Sequence, residues 1–357
     1  MYDFSVLISN FFCFNKYFGT ILLNFALKNM KIFKNIRKAI AVACLLTSSL
    51  ALMGKEVEDS LLVMFWNLEN FFDYHDGGVS SSDREFSSMG ARRWTKSRFY
   101  SKCDKISKAV LWIADKYSMM PDVIGLCEVE NRNVIYKLLN NSLLRKYDYQ
   151  IVHYESSDSR GIDTALLFRE SSFSLLSSSV NTPDYEGKKI RTRDILEVTL
   201  QRKGKVYHYL VNHHPSKFGG KRTSEGKRFS AMQKMKAVCD SIVSINSGDG
   251  IICMGDFNDT PDAPQFSIIE GTLKNKSLDA FEKGEGTIRF QGNWDLIDMF
   301  MVSPFLENKS VMNIVQIPFL MVWDNTHPGY KPFRTYSGPR YIGGVSDHCP
   351  IVLQITF

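Results

Sequence analysis

The sequence is sparing with cysteine: seven in 357 residues, none in a Cys-x-x-Cys pair, and five beyond residue 54 (Cys103, Cys127, Cys239, Cys253 and Cys349). An odd set without paired spacing excludes a disulfide framework or a zinc ribbon, although export leaves room for one disulfide. Cys127 and Cys253 sit inside apolar runs and read as small buried hydrophobes. Also missing are a Gly-rich phosphate loop, a His-Glu-x-x-His pair and a Gly-x-Ser-x-Gly elbow, so P-loop, zincin and serine-hydrolase chemistries lack their motifs. No internal repeat, long low-complexity linker or apolar run able to span a membrane stably occurs. A general basic excess is lacking too. Of the formal +6, residues 1–54 supply six Lys or Arg (Lys16, Lys28, Lys31, Lys34, Arg37, Lys38) against Asp3, leaving +6 − 5 = +1 for residues 55–357. Net charge therefore says little about the partners of the body.

What is present begins with a leader. From Met30 a basic start (Lys31 to Lys38) runs into the apolar stretch Ala39 to Leu46 and ends small-x-small at Ser49 and Ala51. This is the pattern of a secretory signal peptide over 30–51, cleaved after Ala51, so the protein is expected to be exported to the periplasm or the medium. An uncleaved amphipathic anchor is the alternative; lipid attachment at Cys44 has a poor context in Ala41-Val42-Ala43. Residues 1–29 read as an extension ahead of a second start, and 55–357 as one domain.

Short apolar runs predict strands at Leu61–Phe65, Val123–Cys127, Tyr149–His153, Thr164–Arg169, Val206–Val211, Ile251–Met254, Leu296–Val302 and Ile351–Phe357. Phe99, Cys103, Ile106, Val110, Ile113 and Tyr117 recur at helical steps, and Asn131–Lys146 and Glu225–Val243 predict two more helices. Gly77–Gly90 reads as a loop. The alternation places the body in the α/β class. Asn67, Glu128, His213, Asp256 and Asn258 fall just after apolar runs, and Asp347-His348 just before the last. Strand ends converge on one edge of a sheet, where open α/β folds bind ligands.

Each of these residues has a chemical reading and a plainer one. Glu128 is a hard-cation ligand or a first-turn acid of the following helix. In Gly255-Asp256-Phe257-Asn258, extended chain puts Asp256 and Asn258 on one side with Phe257 turned away. A carboxylate and an amide so placed can position an attacking water and bind a phosphate oxygen; the alternative is an Asx-type turn before Pro261. In Ser346-Asp347-His348, Asp347 is a candidate metal ligand and His348 a candidate phosphate contact. Asp298 is an acid in an apolar stretch and needs a partner; an imidazole would serve, and the pair Asp298–His348 would fix the ring tautomer. His213 offers a second imidazole, flanked by Asn212 and Lys217 as candidate phosphate-binding residues. Arg160 is a candidate phosphate fork, with Asp163 orienting it. Lys188 to Arg228 holds twelve Lys or Arg against three acids, which is either a local basic wall or a set of solvated faces.

In order, Trp66-Asn67-Leu68-Glu69, Cys127-Glu128, Asn212-His213, Gly255-Asp256-Phe257-Asn258, Ile297-Asp298 and Ser346-Asp347-His348 resemble the motifs of the endonuclease/exonuclease/phosphatase superfamily. That superfamily includes pancreatic-type DNases, apurinic endonucleases, inositol-phosphate phosphatases and bacterial sphingomyelinases. The segments Asn67 to Asp73, Arg160 to Asp163 and Asn212 to Ser216 are most similar to its secreted bacterial branch. The resemblance implies a four-layer sandwich, two packed mixed sheets flanked by helices. It implies Mg²⁺ or Mn²⁺ bound by Glu128, supported by Asn67 and Asp347, with Glu69 near the metal. Asp256 and Asn258 would position the water and the phosphate. His348, held by Asp298, would contact the scissile phosphate, and His213 matches the second histidine of DNase-like and sphingomyelinase-like members. The general base is split between Asp256 and His348.

The expected activity is metal-dependent phosphodiester hydrolysis by a monomer, with nucleic acid the favoured substrate. A phospholipid headgroup or an inositol-type phosphomonoester is the runner-up. Lipid activity would want an exposed apolar loop, for which Phe305, Leu306, Pro318, Phe319, Leu320 and Trp323 are the nearest candidates. A non-catalytic binding module is least favoured, because no expected position is lost.

Overall fold

The apolar runs pair into two six-stranded sheets in the computed structural model, which describes residues 59–78, 80–217 and 221–357 (of 221–223 the backbone only). The leader expected over 1–29 and 30–51 lies outside the described residues. In chain order the sheet strands are β1 (Ser60–Phe71), β2 (Val123–Val129), β3 (Tyr149–His153), β4 (Asp163–Arg169), β5 (Ser174–Asn181) and β6 (Ile195–Arg202). They continue with β7 (Lys205–His213), β8 (Gly250–Asp256), β9 (Lys274–Asn275), β10 (Asp298–Val302), β11 (Ser310–Ile314) and β12 (Ile351–Thr356). Three long helices, α1 (Lys96–Tyr117), α2 (Arg132–Asn140) and α3 (Lys221–Ile245), cover the outer faces. The sheets have the orders β11-β12-β1-β2-β4-β3 and β9-β10-β8-β7-β6-β5, each mixed through one parallel pair, β1 with β2 and β7 with β8.

Period-two alternation sorts the side chains into layers. Val63, Phe65, Cys127, Leu166, Tyr209, Met254, Phe300 and Leu353 face inward and form the core between the sheets. The alternate residues Leu62, Met64 and Trp66 meet Phe99, Ile106 and Ile113 of α1, while Leu210, Cys253 and Met301 meet Met232, Met235 and Cys239 of α3. This is the four-layer sandwich. The five described cysteines are buried and free, with Cys239 and Cys253 Sγ 3.6 Å apart. Among the described residues no helix is long and apolar enough to cross a membrane.

The structure corrects several boundaries. β1 does not stop at Phe65: it runs to Phe71 through a register shift after Asn67, with Glu69 and Asn70 at φ 46° and 51°. The helix expected over Asn131–Lys146 ends at Asn140, because Ser142 caps a separate turn, Leu143–Lys146, by accepting from Leu144 N at 3.2 Å. The strand expected from Leu296 begins at Asp298, and the expected loop Gly77–Gly90 contains the helical turn Ser81–Glu85. β5, β6, β9 and β11 were not foreseen; β5 is a Ser-rich edge strand with mostly exposed side chains and shows little apolar pattern.

One glycine is fixed by close approach. A Cβ on Gly255 would lie 2.3 Å from the carbonyl oxygen of Asn212 on the neighbouring strand β7. Backbone cannot yield there as a flexible side chain would, so Gly255→Ala should cost about 1–3 kcal/mol. Gly271→Ala, where nothing lies within 4 Å, should stay within about 0.5 kcal/mol of the parent. Urea midpoints of the two variants check the contrast.

Candidate active site

Strand register assembles half of the site. Asp256 ends β8 and is paired with His213 of β7 on one side and Asp298 of β10 on the other. Paired residues share a face, so one row of the inner core ends in an imidazole and two carboxylates, all buried. Asp256 Oδ2 accepts from Asn67 Nδ2 of the opposite sheet at 3.1 Å, and Oδ1 accepts from Asn258 N at 2.9 Å. Burial and the charge of Asp298 raise the Asp256 carboxyl to about 7. Phe257 turns into the α3 layer as the spacing implied. Asn258, however, has left the strand at φ 51°, so the Asx-type turn and the placement of Asn258 beside Asp256 are one feature. The amide of Asn258 donates to His214 O at 3.0 Å.

The segment before β12 supplies the other half. Ser346 Oγ donates to Asn67 O at 2.6 Å and accepts from His348 N at 2.9 Å, while Trp66 Nε1 donates to His348 O at 2.9 Å. Thus clamped, His348 donates Nδ1–H to Asp298 Oδ2 at 2.7 Å. Its Nε2 then faces Asp256 Oδ2 at 3.9 Å and Asp347 Oδ1 at 3.8 Å. Burial opposes protonation of this ring, but the charge and hydrogen bond of Asp298, with Asp256 and Asp347 behind, hold it well above the ordinary histidine value. His213 is the converse. Its Nε2 lies 3.6 Å from Asp256 Oδ2 and 3.9 Å from Glu128 Oε1, yet burial and the charges of Arg193 and Arg160 keep the ring neutral.

Two backbone irregularities aim the remaining acids. Glu128 sits at φ 57° where the β2–β4 register shifts, and its Oε2 accepts from Asn70 N at 2.8 Å. Glu69 is held by Arg334, whose Nε and Nη2 donate to Oε1 at 3.0 and 2.8 Å, and by Thr335 N at 2.9 Å. The same Nη2 reaches Asp347 Oδ2 at 3.1 Å. Burial and the Asp347 charge raise Glu69 to about 7. Lys102, fully buried on α1, donates Nζ to Glu69 O at 2.7 Å and Thr335 Oγ1 at 3.0 Å, and burial brings it down to about 8. Glu69, Glu128, Asp347 and Asn67 are hard oxygen donors whose carboxylates crowd one edge, two of the protein's cations notwithstanding. That donor chemistry fits Mg²⁺ or Mn²⁺ and disfavours a thiophilic ion.

Sequence reasoning missed Lys102, Arg334, Thr335 and the clamps Trp66 and Ser346. Lys102 did leave a signal, a charge on the apolar face of α1 three residues after Phe99; Arg334 left none. Other candidates are not brought into the cluster. Asn212 points to the α3 side, fully buried, and donates its amide to Leu210 O (3.1 Å) and Met254 O (3.4 Å). Lys217 pairs with Asp259 at 2.9 Å, as does the buried Arg228 at 3.1 Å. Asp163 does not orient Arg160; it faces His153 at 3.3 Å. Arg160 itself is at the rim, half exposed, its Nη1 3.8 Å from Glu128 Oε1.

The model of the endonuclease/exonuclease/phosphatase family matches residues 62–356. No curated protein sequence matches the chain. Among solved structures, truncated TDP2 of Caenorhabditis elegans aligns with TM-score 0.53 and 17% identity, over 84% of this chain and 98% of its own. An endonuclease/exonuclease/phosphatase family protein of Bacteroides thetaiotaomicron gives 0.52 and 15%, over 84% and 98%. D. rerio TDP2 complexed with single-strand DNA product gives 0.51 and 13%, over 83% and 99%. At such identities the likeness speaks for the fold.

A neighbouring histidine makes a pH prediction. Both ring nitrogens of His214 are buried without a hydrogen bond, and the ring stands edge-on to Phe257 with centroids 4.8 Å apart. Burial and the charges of Arg193 and Arg228 depress it to about 3, whereas unfolded histidine titrates near ~6.5. The unfolded chain therefore binds more protons between these values, and this group's stabilisation is lost as pH falls through that window. His214→Phe should flatten the decline by up to about 1.4 kcal/mol per pH unit. Urea midpoints at pH 7 and pH 5, variant against parent, read this difference.

Proposed function

The chain belongs to the endonuclease/exonuclease/phosphatase family of metal-dependent phosphoester hydrolases, and on that footing we propose that it is an exported, monomeric phosphodiesterase that cuts nucleic acid. The observation carrying the phosphodiesterase reading is the 2.7 Å Asp298–His348 pair with Nε2 turned toward Asp256 and Asp347. Glu128, Asp347, Asn67 and Glu69 would hold Mg²⁺ or Mn²⁺, which when bound polarises phosphate oxygens. His348, favoured as the imidazolium, donates from Nε2 to a non-bridging phosphate oxygen. Asp256, its carboxyl raised and its orientation set by Asn67 Nδ2 and Asn258 N, accepts the proton of the attacking water. The base role thus moves toward Asp256, with His348 as the phosphate contact. Neutral His213 completes the wall opposite.

Two flanks support a nucleic-acid substrate. On one, a cleft of about 590 Å³ is lined by Arg160, Arg191, Arg193 and Lys227 against Asp158. On the other, exposed Phe290, Trp323 and Tyr330 stand on the hairpins 288–295 and 321–332, the first of which bridges to His348 through Ile288. Cations along a backbone with aromatic platforms for bases are what single strands bind, and the DNA-bound TDP2 neighbour agrees with this choice. The aromatic hairpin also keeps a lipid-headgroup reading open. Of its anticipated insertion residues, Leu306 and Leu320 are buried in the protein, while Phe305, Pro318, Phe319 and Trp323 are exposed. Export rests on the 30–51 pattern.

The full chain with Mg²⁺ or Mn²⁺ should cleave single-stranded DNA or RNA in preference to sphingomyelin vesicles and inositol phosphates. Cleavage that survives both EDTA and Glu128→Ala would sink the hydrolytic assignment; preference for vesicles would move the substrate to lipid. Asp298→Asn should lower kcat by about 10²–10⁴ with little change in metal affinity. An equal collapse of metal binding would instead make Asp298 a ligand. Sequencing the exported protein should give Leu52 as its first residue; an intact 30–51 segment on membrane-bound protein would replace export by anchoring.

A further inference from the structure

The Arg160 loop, residues 154–162, joins β3 to β4 and is tied at its tip. Arg160 N donates to Asp158 Oδ1 at 2.9 Å, Ser80 Oγ donates to Arg160 O at 2.9 Å, and Asp158 Oδ2 accepts from Arg193 Nη1 at 3.0 Å. Its base is arranged differently. His153 ends β3 and Asp163 begins β4, and both side chains are almost fully buried at 2% exposure. His153 Nε2 and Asp163 Oδ2 are 3.3 Å apart but misaligned, so neither makes a hydrogen bond. Orphaning two buried polar groups is destabilising, and a plain structural pair would have avoided it by a small rotation. The remaining oxygen, Asp163 Oδ1, is fixed by Ser156 N at 2.9 Å. The carboxylate is therefore oriented as a ligand's second shell would orient it.

Glu155 completes a set. One ligand atom from each of Glu155, His153 and Asp163 lies within 4.8 Å of the other two. Glu155 is exposed and free to close the triangle. It opens on a cleft of about 650 Å³ whose lining includes Asp73, Asp83, Glu130 and Asp158 beside Arg191, with Asp73 paired to Lys137 and Asp158 to Arg193.

We propose that His153, Glu155 and Asp163 bind a second metal ion, a zinc-like dication, that fixes the base of the loop presenting Arg160 to the active site. One imidazole and two carboxylates suit a borderline ion, whereas the catalytic set of oxygens suits a hard one. The proposal stands on this triad alone and is independent of which substrate the active site takes.

The test is calorimetric titration of the chelator-stripped full chain with Zn²⁺ alone. Glu128→Ala with Asp347→Ala removes two ligands of the catalytic set, and His348→Gln breaks the Asp256–Asp298–His348 cluster that could also hold an ion; this silenced background should leave one equivalent of zinc bound. Adding Asp163→Asn or His153→Gln to that background should abolish it. Glu155→Gln, at an exposed position that cannot unfold the protein, should weaken it by at least the about 10–100-fold that outer-shell losses cost. Co²⁺ in place of Zn²⁺ should give visible absorption that disappears with His153→Gln. No zinc bound in the silenced background, or an unchanged Kd in Glu155→Gln, overturns the proposal, whatever the folding of the Asp163 variant.

Discussion

The hydrogen bond from His348 to Asp298 joins the two sheets at the point where their hydrophobic contact ends. Asp298 opens β10 in one sheet and His348 leads into β12 of the other, and both are buried. A second bond, Asn67 Nδ2 to Asp256, crosses the same gap. Interiors are close-packed and do not slide freely, so the core fixes the relative setting of the sheets and that setting fixes the distance from His348 to Asp256. The site is thus a property of the packing between layers, and each layer alone holds only part of it. Gly255 has the same logic on a smaller scale: it lets β8 approach β7 closely enough to seat Asp256 beside His213.

Crowding of carboxylates is the cost of that arrangement. Glu69, Asp256 and Asp298 are buried there, with Glu128 and the more exposed Asp347 beside them. Lys102 and Arg334 offset part of the repulsion, Lys102 from beneath through α1 and Arg334 from the rim by bridging Glu69 to Asp347. Removing one partner from such a network leaves an uncompensated buried charge. These cations therefore belong to the folding of the site as much as to its chemistry.

How far the sequence discloses this follows from the range of its signals. Strand-end residues are readable because a polar residue closing an apolar run is conspicuous, and Asp298 is readable because an acid in an apolar stretch demands a partner. The bulges at Glu69, Asn70 and Glu128 are not: no glycine marks these positive φ angles, and neighbouring strands impose them. Asn212 misleads because it stands next to a site histidine, while a sheet sends adjacent side chains to opposite faces. Lys217 and much of the basic segment look like phosphate ligands, yet Asp259 takes up Lys217 and Arg228, an ion pairing that composition cannot reveal. Arg334 lies 265 residues from Glu69, beyond any local pattern.

The same distances bear on when the site comes together. Trp66 is hydrogen-bonded to His348 across 282 residues, and Asp59 O accepts from Phe357 N at 2.9 Å, so β1, paired on one side with β2, finds its other neighbour only in β12. A chain still on the ribosome has Asn67 and Glu128 before it has His348 to set against Asp256. The complete site waits for the segment that carries Asp347 and His348. The hydrolytic site of this family member is thus held incomplete during synthesis by the order of its strands.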